Sequence, residues 1–174
     1  MSEPANPLLL ALYEPDIAQN AGAMMRTCAC LGVDVAIIEP AGVRMADSRF
    51  RRAGMDYLSA LQIASHDSWT QFDLWRRAAR RRLVLLTTKG EANLWDFAFA
   101  GGDVILVGRE SAGVPESVAA TADARLRIPI APPLRSLNVG VAAAIALAEA
   151  LRQIGQPLGR NGGREHAVFP ATGT

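Results

Sequence analysis

Polar residues able to do chemistry recur in loops that follow apolar runs of this sequence. Gly108-Arg109-Glu110 directly follows the apolar run 103–107, and Ser136 and Asn138 precede a long apolar segment. A third group, Asn20-x-Gly22-x-x-x-Arg26, stands at the start of a helical pattern. Together these residues offer a carboxylate, a guanidinium, a hydroxyl and amides. Such groups can orient a reacting hydroxyl and stabilise charge that develops on it.

The polar loops would form one site if their strands were neighbours. Residues 86–90, 108–110 and 128–138 each follow an apolar run, and the carboxyl ends of parallel strands are where α/β proteins bind ligands. Free backbone groups there can bind the edge of a flat heterocycle, with Ile128, Ile130 and Leu137 on its faces. Because Asn20 to Arg26 spans about two helical turns, we expect these two residues to share a face.

Each candidate residue also has a purely structural interpretation. Asn20, Ser136 and Asn138 are residue types that favour helix starts. Glu110 could be a turn residue, and Arg26 a solvated arginine. Taken singly, these signals leave both interpretations open.

Several common chemistries lack their sequence patterns. There is no GxGxxG after the first apolar run, and Val114-Pro115 stands where a phosphate-binding loop needs Lys and Ser or Thr. Cys28 and Cys30 point to different sides of a helix, and His66 and His166 are isolated, so we expect no metal site. A net charge of +1 creates no field that would by itself demand a nucleic-acid partner.

Alternating strand and helix patterns predict an α/β protein with a mostly parallel sheet flanked by helices. We predict helices over 20–31, from a cap at Ser65 or Asp67 to Arg82, from Pro115, and after the N-cap Asn138. The last helix is apolar on nearly all sides, which predicts that it is buried. The predicted strands are 8–12, 33–38, 61–64, 83–87, 103–107 and 126–130.

The chain is expected to form one domain over residues 1–155, because the composition changes after Gly155 to Gly, Pro, Arg and Asn. Residues 156–174 are predicted to be a flexible tail. The first residues lack the pattern of a signal peptide, and no apolar run is long enough for a bilayer. A cytoplasmic protein without membrane contact is the expectation.

The order of the motifs resembles the SPOUT class of RNA methyltransferases. Asn20-x-Gly22-x-x-x-Arg26, Gly108-x-Glu110-x-x-Gly113 and Ser136-Leu137-Asn138-Val139 resemble the three motifs of that class. Within it, the TrmL family of tRNA 2′-O-methyltransferases is similar over about residues 8–159. That similarity is carried by segments 12–15, 37–40, 51–57, 86–90 and 127–129.

The resemblance implies a C-terminal trefoil knot and a homodimer whose active site spans the interface. It implies the cofactor S-adenosyl-L-methionine, the product S-adenosyl-L-homocysteine and no metal. The substrate would be the ribose 2′-hydroxyl of the wobble nucleotide, C or U at position 34, of leucine tRNAs. The residues implied to bind the cofactor are Leu86, Thr87, Gly108, Glu110, Ile128, Ser136 and Leu137.

The resemblance also suggests the reacting groups. Arg26 would bind a phosphate and stabilise the oxyanion, because a guanidinium stays protonated and makes a poor general base. The general base itself is left unidentified. The residues expected to orient Arg26, the hydroxyl and the cofactor are Asn20, Glu110, Ser136 and Asn138.

Two arginine clusters could bind tRNA. Arg49, Arg51 and Arg52 form the candidate RNA-binding patch, since they lie in or next to a family-like segment. The second cluster could instead be a solvated helix end. It consists of Arg76, Arg77, Arg80, Arg81 and Arg82.

Three other functions remain open at this stage. The chain could methylate another tRNA or rRNA ribose, or it could be a catalytically silent RNA-binding module. A Rossmann-type nucleotide binder is disfavoured by the missing glycine pattern.

Overall fold

The structure, a computed structural model, describes residues 7–42, 57 and 61–155. Its strands are β1 (Leu9–Tyr13), β2 (Asp34–Ile38), β3 (Ile63–His66), β4 (Leu83–Leu86), β5 (Ala92–Asn93), β6 (Val104–Val107) and β7 (Ala124–Arg127). They form one sheet of described strands in the order β3-β2-β1-β6-β4-β7-β5, and every pairing is parallel. The predicted fold class is therefore confirmed. The trefoil knot stays a prediction.

Helices cover both faces of this sheet. They are α1 (Ala18–Leu31), α2 (Trp69–Ala78), α3 (Glu116–Ala119) and α4 (Val139–Ile154). One core contains Leu10 of β1 with Met24 of α1 and Leu147 of α4, whereas the other packs Leu9 against Phe72 of α2. Burial on two faces explains why the central strands are continuously apolar rather than alternating.

Helix α4 begins as predicted, at the N-cap Asn138, whose Oδ1 accepts from the N–H groups of Gly140 (2.8 Å) and Val141 (3.3 Å). Gly140 lies against α1, where an added Cβ would be 3.7 Å from Met24. The expectation of burial on all sides is wrong for the single chain. Val141 is 50% exposed, and Ala148, two turns further along the same face, is also exposed.

Several element boundaries differ from the prediction. The last strand ends at Arg127 instead of Ile130, because Pro129 has no N–H for a sheet hydrogen bond. Ser68, rather than Ser65 or Asp67, caps α2, since Ser65 pairs with Ile37 inside the sheet. The short strand β5 was not predicted, because two residues carry no periodic signal.

The second arginine cluster is not one exposed basic patch, because two of its five arginines, Arg76 and Arg81, are buried. Arg76 is 5% exposed, and its Nη2 donates to Asp73 at 2.6 Å. Arg81 is 4% exposed and donates to the backbone oxygen of Pro7, while Arg82 pairs with Asp103 at 2.7 Å. Helix α2 ends at Ala78, before the last three arginines, so the five do not share a helical side.

Some predicted features lie outside the described residues. These are the patch Arg49, Arg51 and Arg52 and the predicted tail 156–174. Within the described ranges, no helix has the length and apolar character to cross a membrane. No group of three or more His, Cys, Asp or Glu in that part of the chain could hold a metal ion.

Candidate active site

A pocket of about 900 Å³ opens at the carboxyl ends of β4, β6 and β7. Its apolar lining includes Leu86, Ile128 and Leu137, and its polar lining includes Glu110 and Ser136. The three loops expected to meet at one edge of the sheet do so because these strands are neighbours. The volume is in the range of sites for drug-sized ligands.

The loop after β6 is closed on itself by a backbone bridge. Arg109 N donates to Gly113 O (3.1 Å), and Gly113 N donates to Arg109 O (2.8 Å). A Cβ on Gly108 would lie 2.5 Å from the carbonyl carbon of Gly113, so this position requires glycine. Gly113 has φ of +66°, a conformation that glycine adopts without strain. The sequence thus specifies the shape of the loop that carries Glu110.

The loop between β1 and α1 holds this closed loop in place. Arg109 forms an ion pair with Glu14, and its guanidinium lies 5.9 Å from the ring centre of Tyr13. Asp16 accepts a hydrogen bond from Glu110 N (3.2 Å) and another from the Ser111 hydroxyl. We call residues 14–20 and 108–113 together the fixed wall of the pocket.

The carboxyl of Glu110 is buried in the fixed wall. Both of its side-chain oxygens lack a hydrogen-bond partner among the described residues. Burial raises the pKa of Glu110 above its ordinary value, and the neighbouring Asp16 raises it further, while Asn20 lowers it. The Glu110 carboxyl and the Ser111 hydroxyl hold the pKa of Asp16 down, at about 2. Glu110 is therefore the better proton acceptor of the two.

Asn20 connects the fixed wall to helix α4. It is not an N-cap, because α1 begins at Ala18 after Ile17, so its side chain does not cap α1. Asn138 Nδ2 donates to Asn20 Oδ1 at 3.1 Å while Asn138 Oδ1 caps α4. Asn138 is thus both a cap and a lining residue of the pocket.

The opposite side of the pocket is formed by residues 131–138, which we call the open wall. All eight are exposed, including Leu134 at 70% and Leu137 at 41%. Between described residues, this segment forms one backbone hydrogen bond, from Leu134 N to Ala131 O (3.1 Å), apart from the bonds of Asn138. The polar residues of the open wall that line the pocket are Arg135, Ser136 and Asn138.

Arg26 does not line the pocket of its own chain. Its Nη2 donates to the hydroxyl of Tyr57 at 3.4 Å, and its guanidinium lies 4.6 Å from the centre of that ring. The expectation that it shares a face with Asn20 is wrong, because six residues leave about 120° between two positions on a helix. Asn20 lines the pocket and Arg26 is exposed elsewhere on α1.

The structure brings most of the predicted site residues together. Apart from Arg26, the predicted catalytic and cofactor-binding residues all line the pocket, namely Asn20, Leu86, Thr87, Gly108, Glu110, Ile128, Ser136, Leu137 and Asn138.

Sequence reasoning missed other residues around the pocket. Arg127 lines it, with its Nε donating to Asn93 Oδ1 at 3.1 Å. Asp16 was interpreted only as part of a loop. The sequence feature that could have identified Asp16 as a site residue was its position after β1, at the same edge of the sheet as Glu110.

Sequence comparison identifies relatives across nearly the whole described chain. A model described as the SpoU rRNA Methylase family matches residues 7–148. A curated protein of Beijerinckia indica named tRNA (cytidine(34)-2′-O)-methyltransferase is 60% identical over 147 residues. The alignment covers 84% of this chain and 92% of the relative.

Solved structures share this fold. One concerns 2-OH methylation of C/U34 on tRNA. It has 39% identity and a TM-score of 0.81, covering 86% of this chain and 97% of the other. Another is the SpoU methyltransferase AviRb from Streptomyces viridochromogenes in complex with AdoMet. It has 26% identity and a TM-score of 0.80, covering 87% of this chain and 62% of the other.

Proposed function

This chain belongs to the SpoU rRNA methylase family, and we propose that it methylates the ribose 2′-hydroxyl of C or U at position 34 of a tRNA. The observation that carries the proposal is the pocket at the carboxyl edge of β4, β6 and β7, which gathers the polar residues of three separate motifs. The relatives named for position 34 define the substrate. Leucine tRNAs are the proposed tRNA set, on the resemblance of the sequence.

The pocket residues fit S-adenosyl-L-methionine. Apolar side chains of Leu86, Ile128 and Leu137 suit the faces of an adenine, and the close packing at Gly108 leaves backbone at the pocket surface. The buried Glu110 carboxyl, without a partner among described side chains, offers an acceptor for hydroxyl or ammonium donors. When bound, the cofactor supplies an activated methyl group on a sulfonium and leaves as S-adenosyl-L-homocysteine.

The protein has to place the ribose oxygen in line with that methyl group. In that transfer a bond would form between the 2′-oxygen and the methyl carbon as the carbon–sulfur bond breaks, and the hydroxyl proton would pass to water. Asn20, Glu110 and Asn138 form the polar surface nearest α4 and would orient the hydroxyl, with Ser136 opposite. Correct positioning alone can supply much of the acceleration of such a transfer.

We propose that Arg26 binds the phosphate next to the reacting ribose and stabilises negative charge on its oxygen. Tyr57 holds the guanidinium in a defined place at the surface. Since Arg26 lies outside the pocket of its own chain, this role needs a second copy that presents its Arg26 to the pocket. The exposed face of α4, with Val141 and Ala148, and the exposed Leu137 give apolar surface for such a homodimer.

Subunit mixing tests the shared site. Arg26→Ala and Glu110→Gln proteins are each expected to lose activity about 100-fold. Their mixture should regain about a quarter of wild-type activity after subunit exchange, because half of the dimers would contain one intact site. Doubly substituted protein, mixed with wild type, serves as the control. A mixture that stays inactive would contradict a site shared between subunits.

The RNA contact outside the pocket rests on the sequence alone. Arg49, Arg51 and Arg52 are proposed to bind tRNA phosphates. Arg51→Ala should weaken tRNA binding and reduce its dependence on salt concentration. Since tRNA is the proposed substrate, the enzyme is proposed to act in the cytoplasm.

Methyl transfer with mapping of the product tests the function directly. Total tRNA and total rRNA are incubated separately with the protein and labelled S-adenosyl-L-methionine, and the methylated nucleotide is mapped by mass spectrometry. We expect 2′-O-methylcytidine or 2′-O-methyluridine at position 34 of tRNA. Label at another ribose, or in rRNA, would overturn the assignment of position 34. No label in either would indicate a silent binding module.

A further inference from the structure

The loop between β1 and α1 contains an acidic residue with no role in the motifs described above. Asp16 accepts from the backbone N–H of Glu110 at 3.2 Å, and its second carboxylate oxygen accepts from the Ser111 hydroxyl. These contacts join residues 94 and 95 positions apart in the chain. One side chain therefore holds the backbone and the hydroxyl at the tip of the loop that carries Glu110.

The Glu110 side chain depends on the loop backbone for its placement. Both of its carboxyl oxygens are buried and lack hydrogen-bond partners among the described residues. The bridge between Arg109 and Gly113 closes the base of the loop, and the ion pair of Arg109 with Glu14 fixes its side. The tip is held by Asp16.

We propose that Asp16 is a positioning residue for methyl transfer, which directs the Glu110 carboxyl into the pocket beside Asn20 by holding the backbone of residues 110 and 111. This inference rests on the proposed function. Asp16 itself does not line the pocket, so it acts through Glu110 rather than on the substrate.

The charges around the pair agree with this arrangement. Burial and then Asp16 raise the pKa of Glu110, whereas Glu110 and the Ser111 hydroxyl keep the pKa of Asp16 at about 2. The other charged groups of the two loops, Glu14 and Arg109, pair with each other. Asp16 thus remains an ionised hydrogen-bond acceptor at neutral pH.

Amide hydrogen exchange and kinetics of Asp16→Ala and Asp16→Asn test the proposal. In Asp16→Ala, the Glu110 amide should exchange about fivefold faster or more, because its acceptor is gone. The Gly113 amide, bonded to Arg109 O at 2.8 Å, should keep its protection. The turnover number should fall about 10- to 100-fold with little change in KM for S-adenosyl-L-methionine. Asp16→Asn keeps an acceptor oxygen, so it should restore most of the Glu110 amide protection and most of the turnover number.

Asp67→Ala is the matched control, because Asp67 is an exposed carboxylate beyond β3 at the other end of the sheet. It should leave both readouts at wild-type values. Equal loss of protection at Gly113 and Glu110 in Asp16→Ala would overturn the proposal, since the whole loop would have opened. Unchanged turnover in Asp16→Ala would overturn it as well.

The two proposals fail in distinguishable ways. Wild-type protein that methylates no RNA overturns the proposed function. The exchange of the Glu110 amide then decides the role of Asp16 by itself, because it needs no substrate. Exchange in Asp16→Ala at the wild-type rate overturns the inference, and selectively faster exchange supports it.

Discussion

The two walls of the pocket are built in opposite ways. The fixed wall is joined by a backbone bridge, an ion pair and the two bonds of Asp16. The open wall is exposed along its whole length, with Leu134 70% exposed. Both walls carry residues of the family motifs, so the difference is not one between functional and non-functional segments.

The contrast assigns different tasks to the two walls. A wall held by internal bonds keeps its polar groups in place before the reaction, so little reorganisation is needed when charge develops. A wall that exposes apolar side chains gains by being covered, and the proposed cofactor and a second copy of the chain could both cover it. Substitutions in the fixed wall should therefore show effects in the protein without ligand or partner. Substitutions in the open wall should mainly weaken cofactor binding or dimer formation.

The largest effect is expected for Gly108→Ala in the fixed wall. The new Cβ would lie 2.5 Å from Gly113, so the closed loop must move. Overpacking of this kind costs about 1–3 kcal/mol of stability, and displaced Glu110 should abolish detectable methyl transfer. Thermal unfolding and a methyl-transfer assay measure the two effects. Calorimetric titration measures the affinity for S-adenosyl-L-methionine, which the displaced loop should also lower.

Gly155→Ala is the control for this substitution. Gly155 has the same positive φ as Gly113, +66°, but no atom lies within 4 Å of an added Cβ, and it ends α4 away from the pocket. It should lose about 1 kcal/mol of stability without loss of cofactor affinity. Wild-type affinity in Gly108→Ala would show that the fixed wall is not rigid.

Glu110→Gln should lower activity about 100-fold without lowering stability at neutral pH. The pKa of Glu110 is raised in the folded protein above the ordinary 4.5, mainly by burial. Its ionisation thus destabilises the fold as the pH rises from 4.5 through the folded-state pKa. Glutamine cannot ionise and so removes that destabilisation. The melting temperature should therefore fall less between pH 5 and pH 8 for the variant than for the wild type. A larger decline would contradict a buried, unpartnered carboxyl.

The sequence predicted the parts of this contrast that depend on local patterns. The apolar runs predicted the parallel sheet, and the residue type of Asn138 predicted the helix cap. The bond of Asn138 to Asn20 joins residues 118 positions apart, and no local pattern encodes it. Arg76 and Arg81 showed the reverse error, because arginine in a run predicts exposure and only the fold supplies their buried acceptors.

The place of Arg26 was also beyond local inference. Spacing along a helix gives the angle between two side chains but does not say which side faces the pocket. That is decided by the packing of α1 on the sheet and on α4, where Met24 and Cys28 are buried. The role of Asp16 depends likewise on two loops brought together by the pairing of β1 with β6.

Asn138 stands where the two walls meet, and its two functions can be separated. Asn138→Asp keeps the cap of α4 but loses the Nδ2 donor to Asn20, so stability should stay near wild type while activity falls about tenfold. Asn138→Ala should lose the cap as well, at about 1 kcal/mol. Thermal unfolding with steady-state kinetics distinguishes the two. Equal stability of both variants would contradict the capping role.

The smallest effect on the free chain is expected for Leu134→Ala in the open wall. Because this side chain is 70% exposed, its removal should change the free energy of unfolding of unliganded protein by less than about 0.5 kcal/mol. If the open wall is covered in the complex, the same substitution should weaken cofactor binding or dimer formation by about tenfold, since buried leucine contributes about 1.5–3 kcal/mol.

Leu74→Ala is the matched control, because Leu74 is 65% exposed on α2, away from the pocket. It should change neither the stability of the free chain nor its cofactor binding or dimer formation. Titration with S-adenosyl-L-methionine and sedimentation at several protein concentrations separate cofactor binding from dimer formation. If Leu134→Ala and Leu74→Ala behaved alike in all three measurements, the open wall would be simply a solvent-exposed loop. Its apolar residues would then be covered by neither the cofactor nor a second copy of the chain. The two walls would then differ only in how rigidly they are held.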